Sequence, residues 1–362
     1  MKRTLLFSII LCIASVVVNA QKISKPTLTP VPETAEQTAT IREGIDLHDA
    51  KNFDAAIVKY KSVLAENPDS TLALYELAMT YYTKGDLQNA METSVRGAKY
   101  KSDTLPLFYG TMANILDDLK KPDEAIKIYK DALKILDDDP KFIRHIAELH
   151  FNMGITYFRM NKLLEARNET KKALELNKSH ISAHYVLSEL YYGSGYKVPA
   201  LAAALRFATL ELNSARSKRA SAIVMLVLAP AKKNASGGIE INLNMDSPKD
   251  EGDYMMYDLL LGTLGVIDDD KDKKPKTEAE RFKESLSTFI SLLSEDEKLT
   301  KTFVGKQYVP FLVDLKAAGH LEALANLIRF QSGVGGDESK QWITSNIAKV
   351  TAMNKWAKDY RP

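Results

Sequence analysis

One cysteine, Cys12, stands among 362 residues, so no internal disulfide can staple the fold. Charge of one sign is missing as well. The 49 lysines and arginines are nearly balanced by 47 aspartates and glutamates, which leaves no electrostatic footprint for nucleic acid or for an anionic membrane. Beyond the N-terminus the chain has no long apolar run. The longest, Ile223 to Leu228, stops at Ala229-Pro230, far short of the roughly 20 residues of a helical span. Strand-like alternation occurs once, from Ile239 to Met245 after Gly237-Gly238. That scarcity excludes a sheet-based fold and leaves helix as the main material.

Catalytic patterns are equally scarce. Gly193-Ser194-Gly195 follows no strand, so it is not a nucleophile elbow. Gly333-Val334-Gly335-Gly336 follows a helical stretch and lacks the Lys-Ser/Thr of a phosphate loop. Asp268, Asp270 and Asp272 alternate like the start of a calcium loop, but Lys273 replaces the required glycine and Ala279 the terminal glutamate. His180 and His184 have a chelating spacing without the glutamate or third ligand of a metalloprotease, and a packing role is expected. The chain reads as a non-enzyme, with no cofactor and no metal.

The N-terminus has its own pattern. Lys2-Arg3 precedes an apolar run from Leu5 to Val18, and Val18-Asn19-Ala20 offers small residues for cleavage. Residues 1–20 are therefore expected to be a signal peptide, with a periplasmic or secreted product starting at Gln21. Losing Lys2, Arg3 and Cys12 leaves 47 basic against 47 acidic residues and no cysteine. Residues 21–36, with Lys25-Pro26 and Thr29-Pro30-Val31-Pro32, read as an extended proline-rich linker.

From Gln37 to Asn213 the chain repeats. Leu77-Ala78-x-x-Tyr81 recurs as Met153-Gly154-x-x-Tyr157 and Leu187-Ser188-x-x-Tyr191, and more loosely at Glu43-Gly44-x-x-Leu47 and Met112-Ala113-x-x-Leu116. Twelve residues after each small residue comes an alanine: 56, 90, 125, 166 and 200. The copies are 34, 35, 41 and 34 residues apart. The form and the period resemble the tetratricopeptide repeat.

The resemblance implies an all-α solenoid of about five helix-turn-helix units over 37–213, stacked because one hairpin cannot bury its own apolar face. The small residues mark close helix approach, and Tyr60 and Tyr129 fill the gap beside them. Ser94, Thr170 and Ala204 stand where the family has an aromatic. The 41-residue step suggests about two extra turns on the third unit's second helix, ending near Asp137-Asp138-Asp139-Pro140. Leader and repeat together resemble exported Bacteroidetes proteins. Asp69-Ser70-Thr71 and Asp103-Thr104-Leu105 resemble their glycan acceptor motif.

After the array, 214–252 reads as a capping helix and connector with at most one short β segment near 239–245, and 253–362 as a C-terminal helical module. Thr277-x-x-Glu280 and Ser294-x-x-Glu297 have the form of capping boxes. Tyr308–Lys316, Leu321–Phe330 and Gln341–Tyr360 read as helices.

In the family the first helix of each unit lines a concave groove. Carried onto this chain, that gives Tyr75, Met79 and Tyr82; Asn114 and Asp117; Asn152, Phe158 and Arg159; and Tyr185, Glu189 and Tyr192. Ile41, Ile45, His48, Asp118 and Ile155 fall on the same register. Aromatic rings with polar groups between them suit an extended peptide or a partner helix. The expected partner is a protein or peptide of the cell envelope. The family's chaperone-tail clamp is missing, because Ile41 and Ile45 occupy its positions. The other reading is a glycan-binding envelope protein built on the same helices, its aromatics stacking on sugar rings.

Overall fold

The computed structural model describes residues 23–229, 232–233, 239–240, 251–263 and 276–361. The leader, the Asp268-Asp270-Asp272 stretch and residues 241–245 lie outside them. The chain divides into two compact units, 1–145 and 146–362, each described by itself.

The first unit contains three antiparallel hairpins: α1 (Ala35–Asp49) with α2 (Phe53–Glu66), α3 (Thr71–Lys84) with α4 (Leu87–Gly97), and α5 (Leu105–Asp118) with α6 (Pro122–Leu136). Each helix packs on the next in sequence order, and α3 also touches both α1 and α5. Local chemistry sets the starts. The Thr34 hydroxyl and the Gln37 side chain form a reciprocal capping box for α1, and the Ser70 hydroxyl accepts the Ala73 N–H to open α3.

The small residues act as their spacing predicts. A Cβ at Gly44 would lie 2.5 Å from the Tyr60 ring. Ala56, Ala78, Ala90, Ala113 and Ala125 are fully buried, as are Tyr60 and Tyr129. Ser94, in the aromatic's place, is also buried and gives its hydroxyl proton to the Ala90 carbonyl at 2.8 Å, which satisfies it inside the helix.

Three expectations change here. The proline-rich stretch is extended but not loose. Leu28 bridges to Tyr100 in parallel, the Lys101 N–H donates to the Leu28 carbonyl at 2.8 Å, and Asn67 donates to the Val31 carbonyl at 3.1 Å. The long step does not lengthen α6. That helix stops at Leu136 because Asp137 and Asp138 turn into the left-handed region, at φ 49° and 53°; a 3-10 turn, Pro140–Phe142, and a longer α7 (Ile143–Arg159) take up the extra residues. The Ser70 of the first acceptor-like motif is fully buried, its hydroxyl donating to Glu33 at 2.6 Å, so it offers no acceptor.

The second unit holds the rest of α7, then α8 (Leu163–Leu176), α9 (Ile181–Gly193), α10 (Lys197–Leu210) and α11 (Ala215–Val227). Gly154 on α7 sits where a Cβ would meet the Thr170 hydroxyl at 2.9 Å and the Ala166 carbonyl at 3.2 Å. Helix α11, expected as a cap, begins 34 residues after α9 begins. Its buried pairs Ala220-Ser221 and Ile223-Val224 copy Leu187-Ser188 and Leu190-Tyr191. It therefore takes the place of a further first helix.

Helices α12 (Met255–Thr263), α13 (Glu278–Glu295), α14 (Phe303–Gln307), α15 (Val309–Ala317), α16 (Leu321–Gln331), α17 (Gly336–Ser345) and α18 (Ile347–Asp359) follow. They are not a separate module. Helix α10 is buried along every residue from Val198 to Leu210, touching α9 and α11 on the repeat side and α12, α15, α16 and α18 on the other. Its Arg206 lies 4.0 Å over the Phe311 ring, donates to the Ala357 carbonyl at 3.0 Å, and is pushed down to about 10 by burial. One apolar cluster runs from Leu174 to Ala357. Helix α16 packs on α11, with Ser221 donating to Gln331 at 2.8 Å.

Thr277 and Glu280 form the expected capping box, but Ser294 lies inside α13 and donates back to the Ser291 carbonyl. The expected last helix is broken at Asn346, whose side chain donates to the Trp342 carbonyl at 2.9 Å. Among the described residues, β structure is one antiparallel pair, β1 (Lys232–Lys233) with β2 (Ile239–Glu240), besides the Leu28–Tyr100 bridge.

Candidate functional site

The residues marked by the repeat register fall on two faces, one in each unit. On α3, Tyr75, Met79 and Tyr82 stand four and then three positions apart, so they share one side of the helix. All three are half-buried. Tyr75 meets Phe108 edge-on at 6.0 Å, and burial, then the nearby Glu76, raises its hydroxyl pKa. The Thr111 hydroxyl reaches the Met79 sulfur at 3.5 Å. Tyr82 donates to Asp118 at 2.5 Å. Each side chain is thus held at one end and open along the other.

The α5 positions behave differently. Asn114 accepts the Tyr129 hydroxyl at 2.5 Å, so its amide oxygen serves the hairpin interior. Asp117 is buried rather than on the open face, because α5 packs against α3, α4 and α6 at once. Asp118 is the exposed neighbour. Ile41 is fully buried as well.

In the second unit, Tyr185, Glu189 and Tyr192 repeat the α3 register on α9, and all are half-buried. Tyr185 packs on Phe207 with ring centres 5.2 Å apart. Burial, then Glu189, raises its pKa. Two arginines from α11 complete this face. Arg216 lies 5.7 Å over Tyr185, donates to Ser182 at 3.0 Å and pairs with Glu211. Arg219 forks onto Glu189 at 2.9 and 3.1 Å and lies 5.7 Å over Tyr192. That hydrogen bond is the main reason its pKa is raised. On α7, Asn152 is half-buried, Arg159 is exposed, and Phe158 leaves 47 % of its surface open.

Arg216 and Arg219 were not among the expected groove residues. Their signal was the Arg216-Ser217-Lys218-Arg219 stretch at the start of a helix one repeat length after α9. The histidines are structural. His180 caps α9 by accepting the Ala183 N–H at 3.2 Å. His184 is fully buried, with Tyr308 at 3.1 Å on one ring nitrogen and the Lys178 carbonyl at 3.0 Å on the other. Burial holds the ring neutral, and the carbonyl, which can only accept, then takes the one ring proton and leaves the other nitrogen to accept from the tyrosine.

Each face can therefore offer rigid aromatic surface with polar groups beside it, a carboxylate on α3 and α5 and ion pairs on α9 and α11, which suits contact with a peptide or protein.

Models of the tetratricopeptide repeat match residues 47–115, 107–135 and 147–180, so the chain carries tetratricopeptide repeats over these stretches. Protein KINESIN LIGHT CHAIN-RELATED 1 of Arabidopsis thaliana is 23% identical over 141 residues, covering 34% of this chain and 23% of that protein. The chain thus spans less than a quarter of that relative. Among solved structures, pilF of Pseudomonas aeruginosa is similar at 22% identity over 53% of this chain and 83% of its own, with a TM-score of 0.46. A thermophilic tetratricopeptide-repeat protein of Thermus thermophilus is similar at 22% identity over 52% of this chain and 99% of its own, with a TM-score of 0.43.

Proposed function

We propose that this chain is an exported, non-catalytic interaction scaffold. In this reading it holds an extended or helical segment of a cell-envelope protein against the open faces of its first helices. The observation that carries the reading is a recurrence. Tyr75, Met79 and Tyr82 on α3 and Tyr185, Glu189 and Tyr192 on α9 occupy the same three register positions and share the same half-buried state. A ring already packed on one side loses little freedom when a guest covers the other, so it binds at low entropic cost. Tyrosine is also among the residues that dominate binding energy at interfaces.

Export is supported by Lys2-Arg3, the Leu5–Val18 run and the small residues before Gln21. Among the described residues no helix is long and apolar enough to cross a membrane. N-terminal sequencing of the protein recovered from its native host tests export: a start at Gln21 supports it, and an intact Met1 overturns it.

The groove is tested by selecting peptides from a random library on the purified chain. Tyr185→Ala with Tyr192→Ala, and Tyr75→Ala with Tyr82→Ala, are expected to weaken selected peptides at least about tenfold. Val58→Ser, on the exposed side of α2, is expected to leave them unchanged. Peptides that bind all folded variants equally would overturn the groove reading.

A further inference from the structure

A cleft of about 440 Å³ opens in the second unit between the start of α13, α16 and α17, within the size range of small-ligand sites. Glu280, Glu322, Asn326, Glu338 and Trp342 line it, with Lys283 as the cation among the lining residues. The repeat faces do not involve it.

Three observations define its chemistry. The first is Asn326, which is buried. Its amide nitrogen donates to the Glu322 carbonyl at 3.0 Å, which leaves the amide oxygen as an acceptor without a partner among the described residues. That oxygen is not sealed from solvent, so a donor that enters the cleft can reach it. The second is the charge of the lining, where three carboxylates face one ammonium. Glu338 is held in place from behind by Arg329 at 3.3 Å, and Glu280 by the backbone N–H of Thr277 at 2.8 Å. The third is Lys349, rooted in α18. Its ammonium lies 5.6 Å over the Trp342 ring and 3.5 Å from Glu322. The chain's own cation already sits where an indole face and a carboxylate meet. Both contacts are long, and the lysine side chain is 60% exposed, so it is a loose occupant.

Acceptor, carboxylates and indole all select the same partner: a cation rich in N–H donors. We propose that this cleft binds a guanidinium or alkylammonium group, such as an arginine side chain of a peptide or a free polyamine, and that Lys349 is the internal group it displaces.

The test uses the full chain carrying Trp356→Phe, so that Trp342 is the one remaining tryptophan of the two. The probes are N-acetyl-arginine amide, its uncharged analogue N-acetyl-citrulline amide, and spermidine. A saturable change in Trp342 fluorescence is expected with arginine amide or spermidine and none with citrulline amide. Tighter binding of arginine amide identifies a peptide side chain as the source, and tighter binding of spermidine identifies a polyamine. Glu322→Gln, a half-exposed and isosteric change, should weaken binding about tenfold. Lys349→Ala and Lys283→Met should each tighten it several-fold by removing a competing cation. Equal response to citrulline amide, no saturable response to any probe, or weaker binding in Lys349→Ala or Lys283→Met would overturn the proposal. None of these outcomes depends on the repeat faces binding a peptide.

Discussion

Glu251 lies 2.9 Å from the Arg167 guanidinium Nε, with 3% and 6% of the two side chains exposed. Lys171 adds contacts of 2.9 and 3.0 Å, and Tyr191 donates at 3.1 Å. Arg167 also lies 4.6 Å over the Tyr196 ring. Two donors, Lys171 and Tyr191, and the charge of Arg167 thus converge on one carboxylate that comes from beyond the array. Removing the carboxylate takes the shared acceptor from a buried cluster of guanidinium, ammonium and phenol, which costs about 3–5 kcal/mol in comparable sites. Glu251→Ala should lower the unfolding free energy by about that amount in a urea titration. A loss under about 1 kcal/mol would show that water already screens the pair.

That pairing also marks where the sequence stops being readable. The small residues at 44, 78, 113, 154 and 188 and the alanines after them are local in spacing, and the packing follows them closely. The all-round apolar run Leu201-Ala202-Ala203-Ala204-Leu205 within α10 was likewise open to reading as a fully buried helix. Glu251, by contrast, looks like one more acid in a polar loop. Its partners lie on helices far back in the chain, and no periodicity links them. The groove suffers in the same way. Register places Tyr185, Glu189 and Tyr192 on one side of α9, but only the fold brings Arg216 and Arg219 over them or turns Asp117 inward. The division after Asn213 fails to appear for a related reason. The later helices have apolar faces of their own, and α10 is the surface they cover.

Three titrating groups, two histidines and an aspartate, give the fold a pH signature of opposing signs. His184 is fully buried, and burial first, then Arg206, holds its pKa well below 6.5; burial also lowers His320. Both bind protons less readily folded than unfolded. Their stabilisation is complete above about pH 6.5 and is lost as pH falls below it, at up to about 1.4 kcal/mol per pH unit for the buried His184 and by less for the half-buried His320, which solvent screens. Asp258 has the opposite sign. Burial pushes it up to about 6 against an ordinary 3.8, with Lys197 partly offsetting. Its contribution is fully present below about 3.8 and is lost as pH rises through about 6. Asp258→Asn should therefore raise stability at pH 7.5 by roughly 1–2 kcal/mol, after allowance for solvent screening, and leave it nearly unchanged at pH 3.5. Chemical denaturation at the two pH values checks it, and an equal gain at both would contradict the assignment.

The fork between Arg219 and Glu189 is half-exposed, and such pairs contribute only about 0.2–1 kcal/mol. Its larger effect is on what the α9 face presents. With Arg219 in place, the Glu189 charge is matched. Arg219→Ala should change the melting temperature little yet shift library-selected peptides toward lysine and arginine, because an unmatched carboxylate then stands between Tyr185 and Tyr192. Sequencing the selected pools from both proteins measures the shift. Pools of equal charge would mean that Glu189 does not face the guest.

The extended segment before α1 gives a prediction that separates a docked strand from a tether. Its side chains contribute little burial, since Leu28 and Val31 stay largely exposed. What holds it is polar. The amides of Thr27 and Leu28 donate to the Lys99 carbonyl at 3.0 Å, the Lys101 amide donates back to Leu28 at 2.8 Å, and Asn67 and Ser70 reach Val31 and Glu33. Net contributions of about 0.5–1.5 kcal/mol per hydrogen bond, less the entropy of ordering a short extended segment, leave a margin of roughly 1–3 kcal/mol. Deleting residues 23–33 keeps the Thr34 cap of α1 but frees the turn between α4 and α5. Hydrogen exchange at the Lys101 amide should then quicken by about tenfold or more, while amides in the middle of α10 keep their protection. If Lys101 exchanged equally fast with and without the segment, the segment would be a tether that merely lies alongside the repeats, and its bonds to the turn would contribute nothing to the fold.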